Sequence, residues 1–219
     1  MDADARDWEN TYYGAGGAKG VLLLAFKTDS LRKYIGKTLE EVATIRGSSP
    51  EETAMNLIVE DSTRIGVSYF SMDSGNIKKE VAIPWMSFCS DESSQAPEGV
   101  FLKNNPHPRA YGSFIRVLGK FSRDEKIISL QQAVRQLSKL PATNLKLQKR
   151  GELKIGNYAD MVIFDPETVR DNATFAKPQQ YASGMIHVFV NGVQVLKDGK
   201  HTNAKPGRFI KGPGWRTGS

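Results

Sequence analysis

The chain has 219 residues and a mass of 24.2 kDa, is 39% hydrophobic and 25% charged, and carries a formal net charge of +6. This composition is typical of a soluble globular protein and excludes a disordered tail, a collagen-like rod and a membrane protein. The longest apolar run, Val21 to Phe26, is far shorter than the roughly 18–20 residues of a membrane-spanning helix. No signal-peptide pattern opens the sequence, so we expect a cytoplasmic protein with no membrane partner.

The number of cysteines, the spacing of the histidines and the distribution of the basic residues each exclude a class of site. One cysteine, Cys89, excludes an internal disulfide, and the three histidines form no His-x-His or Cys/His zinc spacing. We therefore assign no metal ligand. Residues 146–219 hold 12 Lys and Arg against 6 Asp and Glu, but no basic run or aromatic interleaving accompanies the excess, so we expect no nucleic-acid partner.

In the first part of the chain, apolar strands alternate with capped helices. We predict strands at Val21–Phe26, 66–70 and 84–88. The predicted helices are 36–46 with Thr38 as N-cap and Leu39, Val42 and Ile45 buried, 49–61 with Ala54, Leu57 and Ile58 buried, and 72–81. This alternation is typical of βα units around a parallel sheet.

After residue 105 the chain continues helical and then changes period. Helices are predicted over 106–121 and from Ser129 to near Pro141. After Gly151 the period becomes two, which predicts short strands at Glu152–Lys154, Asp160–Phe164, Met185–Val190 and Val193–Val195, with a hairpin turn at Asn191-Gly192. We expect residues 1–150 to form part of an α/β layer, and residues 151–219 to form a small β module followed by a tail.

Two or three βα units cannot close a barrel, because about eight strands and roughly 250 residues are typical. The chain therefore either forms an open sheet or is the C-terminal part of a larger protein. Asp91 directly follows the predicted 84–88 strand, where α/β enzymes place catalytic groups. The alternative is that Asp91 is a helix cap or an ordinary loop residue.

Several segments together resemble one enzyme family. They are Trp85–Asp91, Ala96–Gly99, the His107-Pro108-Arg109-Ala110-Tyr111-Gly112 motif, Gly151–Pro166, Asp171–Phe175, Val190–Gly192 and Pro206–Arg208. This set is similar to the last third of the N-acyl-D-amino-acid deacylases of the amidohydrolase superfamily.

The resemblance implies an α/β fold: the C-terminal part of a TIM-like amidohydrolase barrel that continues into strands of a small β-sandwich. It also implies hydrolysis of N-acyl-D-amino acids with zinc in the complete enzyme, where an aspartate matched by Asp91 accepts a proton from the metal-bound water. The family's zinc ligands precede the region represented here and none is matched. We therefore expect this chain alone not to bind zinc tightly, and Cys89 to be a small buried side chain.

Three further residues are candidates for substrate binding. Arg109 and His107 could hold the substrate carboxylate, because a guanidinium binds a planar carboxylate through two hydrogen bonds. The alternative is a helix-entry loop in which His107 caps and Arg109 pairs with an acid. Met72 could line an acyl pocket or simply fill space. His187 and His201 are expected to be structural.

Two functions follow from these expectations. The first is a metal-dependent hydrolase of N-acyl-D-amino acids, of which this chain is the C-terminal fragment. The second is a non-catalytic module that docks on a separate chain carrying the metal site, for example the missing N-terminal part of the barrel.

Overall fold

The computed structural model describes residues 8–215, so the ends of the two predicted regions, 1–7 and 216–219, lie outside the described residues. The chain divides into two compact units. The first unit contains the residues up to Ser74, Glu92–Ala110 and Ala173–Gln180; the second contains Gly75–Asp91, Tyr111–Asn172 and the residues from Tyr181 onward.

The helices and strands are short and mixed along the chain. The α-helices are α1 (Thr11–Gly14), α2 (Leu39–Arg46), α3 (Pro50–Asp61), α4 (Ser74–Val81), α5 (Arg109–Arg116), α6 (Leu130–Leu137) and α7 (Lys139–Asn144), and a π-helix spans Val117–Asp124. Short 3₁₀ helices span Ala18–Gly20, Asp29–Tyr34 and Gly99–Lys103. The strands are β1 (Val21–Ala25), β2 (Gly66–Tyr69), β3 (Met161–Phe164), β4 (Met185–Val190), β5 (Val193–Lys197) and β6 (Lys200–His201). No helix within residues 8–215 has the length and hydrophobicity needed to cross a bilayer.

In the first unit, β1 and β2 form a two-stranded antiparallel sheet in which Val21 pairs with Tyr69 and Leu23 with Val67. The expected parallel arrangement of these strands is therefore wrong. Two helices, α2 and α3, separate the strands. The last residue of α3, Asp61, is bound to the Lys27 and Thr28 N–H groups just after β1, so the chain enters β2 at the end of β1 and runs back along it.

The core of the first unit lies between this sheet and the two helices. Residues Val21–Leu24 of β1 are all buried. In α3 the buried stripe is Thr53, Leu57 and Asp61, at four-residue spacing. Ile58 lies about 100° around the helix from Leu57 and is exposed, contrary to prediction, as is Ile45 of α2.

The second unit combines a helical core with a four-stranded antiparallel sheet of order β3-β4-β5-β6. Val81 of α4, Phe121 of the π-helix and Ala133 of α6 are buried together, and Phe164 and Met185 of the sheet pack against them. The predicted hairpin is confirmed, since Asn191 and Gly192 both adopt the positive φ that its tight turn requires.

Two predicted strands are absent from the described residues. Residues 84–88 form a turn and an irregular segment, with Trp85 exposed. Side chains of α6 bind the backbone where this segment begins. Arg135 donates to the Pro84 carbonyl at 2.8 Å and the buried Gln136 to the Ile83 carbonyl at 2.7 Å. Residues 152–154 also form no strand. The expectation of mixed α/β structure is confirmed, and the described residues do not close a barrel.

Candidate active site

The turn after β1 is fixed by a buried carboxylate. Asp61, the last residue of α3 and only 1% exposed, accepts the backbone N–H groups of Lys27 at 3.1 Å and Thr28 at 2.7 Å. Burial alone would raise the pKa of Asp61, but the N–H donors of Thr28 and Lys27 outweigh it and hold that pKa below its ordinary value of 3.8. The ionised carboxylate therefore ties the end of α3 to the end of β1.

A second loop is bound to the same end of β1. The Asn105 N–H donates to the Leu24 carbonyl at 2.9 Å, and the Asn104 side-chain oxygen accepts the Phe26 N–H at 3.1 Å. The Gln179 side chain donates to the carbonyls of Asn104 at 2.7 Å and Phe101 at 3.2 Å. This loop, residues 101–107, is thus held from both sides where it leads into α5.

His107, at the end of this loop, has a defined ring orientation. Its Nδ1 accepts the Arg109 N–H at 3.0 Å, so the neutral ring carries its proton on Nε2, which can donate a hydrogen bond. The ring lies edge-to-face with Phe175 at 4.9 Å between centroids, and Phe175 in turn lies edge-to-face with Phe70 at 4.8 Å.

Arg109 opens α5 and is partly exposed, with 42% of its side chain accessible to solvent. Its Nε lies 4.0 Å from Glu92 Oε2, a Coulombic contact too long for a hydrogen bond. The structure therefore contains both features of the helix-entry alternative, since His107 caps the helix start and Arg109 faces an acid. These contacts leave the predicted carboxylate-binding role of the two residues untested.

Met72 follows β2 in the same unit and is 70% exposed. The structure therefore brings His107 and Arg109 into direct contact and places Met72 elsewhere in the first unit, after β2. The acyl-pocket role of Met72 remains a prediction.

Asp91 lies in the second unit, in an exposed segment. Its N–H donates to the sulfur of Cys89 at 3.3 Å, and Cys89 is exposed, contrary to prediction. The φ of Asp91 is 49°, in the left-handed region that aspartate and asparagine tolerate better than most residues. Asp198, in an exposed hairpin turn, has the same φ, so this conformation does not by itself mark a catalytic residue.

Within residues 8–215, no three His, Cys, Asp or Glu side chains converge as a metal site requires. Two of the histidines have structural neighbours: His187 lies beside Gln194 and Asp198, and His201 accepts the Asn203 N–H. The described residues therefore do not by themselves fit a metal ion. That the chain does not bind zinc tightly remains a prediction.

Sequence analysis missed three residues around the site. In the sequence, Asp61 is only the last residue of the predicted 49–61 helix, and Gln179 carries no signal. Phe175 lies in a segment of the family resemblance, but nothing in its spacing indicated a contact with His107.

The chain is similar to known amidohydrolases. Residues 103–196 match the amidohydrolase family. The D-aminoacylase of Alcaligenes xylosoxydans xylosoxydans is 36% identical over 175 residues, which make up 80% of this chain and 34% of that protein. The chain thus spans about a third of the length of this curated relative.

Solved structures give the same result. A crystal structure of D-aminoacylase aligns with a TM-score of 0.75 and 34% identity, over 88% of this chain and 38% of the other. The N-acyl-D-glutamate deacylase of Bordetella bronchiseptica, solved with zinc and a phosphonate mimic of the tetrahedral intermediate, aligns with a TM-score of 0.71 and 31% identity, over 86% and 38%. These alignments confirm the expected fold class, in which the described residues represent an unclosed part of an amidohydrolase barrel.

Proposed function

We propose, because this chain belongs to the D-aminoacylase family of amidohydrolases, that it takes part in hydrolysing the amide bond of N-acyl-D-amino acids. The products are a D-amino acid and a carboxylate. On the chain itself, the observation that carries the proposal is the fixed pair of His107 and Arg109 at the end of β1. This loop holds an imidazole N–H donor and a partly exposed guanidinium two residues apart, and both groups suit an anionic substrate.

Arg109 is proposed to bind the α-carboxylate of the substrate. A guanidinium has five N–H donors in a planar fork, so it can engage both oxygens of a carboxylate while Glu92 stays within Coulombic range of its Nε. The Nε2–H of His107 supplies a further donor. Met72, after β2, is proposed to contact the acyl group.

Asp91 is proposed to act as general base and then as general acid. The water oxygen attacks the amide carbonyl carbon while Asp91 accepts the water's proton. The carbon–nitrogen bond then breaks as the same proton passes to the leaving amine nitrogen, which restores the carboxylate. The exposure of Asp91 leaves its side chain accessible to such exchange.

The family's zinc is proposed to be held by residues outside the described part of this chain, because no three suitable ligands meet within it. Zinc lowers the pKa of bound water and so supplies the nucleophile when present.

The test uses a chimera in which this chain replaces the segment that it matches in the A. xylosoxydans D-aminoacylase. Asp91→Asn keeps the size and left-handed backbone of the residue but removes the proton acceptor. Because general acid–base catalysis contributes about 10²–10⁴-fold, we expect kcat for N-acetyl-D-leucine to fall by that factor with metal content unchanged. Asp198→Asn, at an exposed position with the same φ of 49°, is the matched control. Near-normal turnover by Asp91→Asn under saturating zinc contradicts the proposed role.

A further inference from the structure

Residues 173–180 belong to the first unit although the chain on both sides of them belongs to the second. This segment is ordered by its own turn, in which the Thr174 N–H donates to the Lys177 carbonyl at 3.1 Å and the Lys177 N–H donates to the Thr174 hydroxyl at 3.0 Å. Ala173 and Pro178 are buried. Two of its contacts in the first unit fall on the loop that ends at His107.

The first contact is between aromatic rings. Phe175 meets the His107 ring at an interplanar angle of 86°, and Phe70 supports Phe175 from a second edge-to-face contact at 83°. The quadrupoles of two aromatic rings favour this edge-to-face arrangement. Beside the hydrogen bond from the Arg109 N–H, the Phe175 ring adds a packing constraint on the orientation of the His107 ring.

The second contact is a shared amide. The Gln179 side chain donates to two carbonyls, of Asn104 and Phe101, and so spans the start of the loop. If a carboxylate replaced the Gln179 amide, an acceptor oxygen would stand where the NH₂ donors are, and it would repel both carbonyl oxygens.

We propose that Phe175 and Gln179 are positioning residues for substrate binding. Phe175 sets the direction of the His107 Nε2–H. Gln179 fixes the position of the 101–107 loop against the end of β1. Together they control affinity for the substrate carboxylate without touching the substrate. This inference rests on the proposed function of His107 and Arg109.

The first test is nuclear magnetic resonance of the whole chain. In Phe175→Leu, the His107 ring-proton shifts are expected to move toward those of histidine in an unfolded peptide, while the Nε2–H form is retained because the Arg109 N–H still binds Nδ1. Phe175→Tyr keeps the ring and is expected to restore the original signals. Phe209→Leu, at an exposed ring of the second unit, is the control.

The second test is kinetic and uses the chimera. Gln179→Glu and Phe175→Leu are expected to raise KM for N-acetyl-D-leucine by about three- to tenfold with kcat changed by less than about twofold, because binding is weakened and proton transfer is not. Gln180→Glu, whose amide binds the Lys177 carbonyl within the segment's own turn, is expected to leave KM unchanged.

The outcomes separate the two proposals. Unchanged His107 signals in Phe175→Leu overturn the positioning role of Phe175. An unchanged KM, or an equal loss of kcat and gain of KM, overturns the positioning role of the residue replaced. A chimera that folds and binds zinc but hydrolyses no N-acyl-D-amino acid overturns the proposed function. The resonance experiment on the chain then still decides whether Phe175 orients the ring.

Discussion

Replacing Asp61 by asparagine is expected to weaken the attachment of α3 to the end of β1. Each carboxylate oxygen accepts one backbone N–H, from Lys27 at 3.1 Å and from Thr28 at 2.7 Å, and the side chain is buried. Asparagine has one oxygen and one NH₂ group, so one of the two backbone donors would face another donor. That backbone N–H group, of Lys27 or Thr28, would then be buried without an acceptor.

The size of the effect follows from the bond that is lost. A hydrogen bond to a charged group contributes about 1.5–3 kcal/mol, and a buried donor without a partner costs a similar amount. Since the asparagine oxygen retains one of the bonds, we expect the free energy of unfolding to fall by about 2–3 kcal/mol near pH 7. Asp198→Asn, in an exposed turn, is expected to stay within about 0.5 kcal/mol of the unsubstituted chain.

The difference in the free energy of unfolding between the unsubstituted chain and Asp61→Asn depends on pH. The folded-state pKa of Asp61 lies below its ordinary value of 3.8, so its contribution is fully present above about pH 4 and is lost as the pH falls through the folded-state pKa. The gap between the unsubstituted chain and Asp61→Asn should therefore be constant from about pH 5 to 7 and narrow below pH 4. Other acids titrate equally in both proteins and cancel in the comparison.

Urea unfolding followed by circular dichroism measures the free energy, and hydrogen exchange of the Lys27 and Thr28 amides reports on the turn itself. Faster exchange at these two amides, together with a lower unfolding midpoint, is the expected result. An unchanged midpoint with unchanged protection at both amides would refute the assignment of Asp61 as the anchor of this turn.

Two further predictions concern the site. In the chimera, Arg109→Lys should raise KM for N-acetyl-D-leucine more than it lowers kcat, because a point charge cannot reproduce a two-bond contact with a carboxylate; an unchanged KM would remove Arg109 from the binding site. The purified chain should retain much less than one equivalent of zinc after dialysis, measured by mass spectrometry of the metal, because its described residues bring no three ligands together. Stoichiometric zinc would contradict this.

The helix starts could be predicted because their signals are local. Thr38 and Glu41 form the reciprocal capping box at the start of α2, and the Ser49 hydroxyl accepts the Glu52 N–H at the start of α3. Each depends only on residues three positions apart. Strand direction was not predictable in this way, because it depends on how two whole helices pack between β1 and β2.

The same distinction explains the false strand at 84–88. Its apolar residues satisfy a strand pattern, yet the carbonyl of its first residue, Pro84, is bound by Arg135 and that of the preceding Ile83 by Gln136, some fifty residues later in the chain. A short apolar run shows that a segment can be buried and says nothing about which partner takes its backbone hydrogen bonds.

The candidate site shows the same difference between local contacts, which can be predicted, and long-range contacts, which cannot. His107 and Arg109 are two residues apart, so their contact could be read from the motif, whereas Phe175 and Gln179 reach the loop from about seventy residues away. The predicted boundary near residue 150 separates a helical period from a strand period, and periodicity records local structure only. A chain cut at that boundary would keep the Nδ1 bond of His107 and lose both the ring and the amide that hold its loop. The later segment is therefore needed for the geometry of a site whose named residues all precede it.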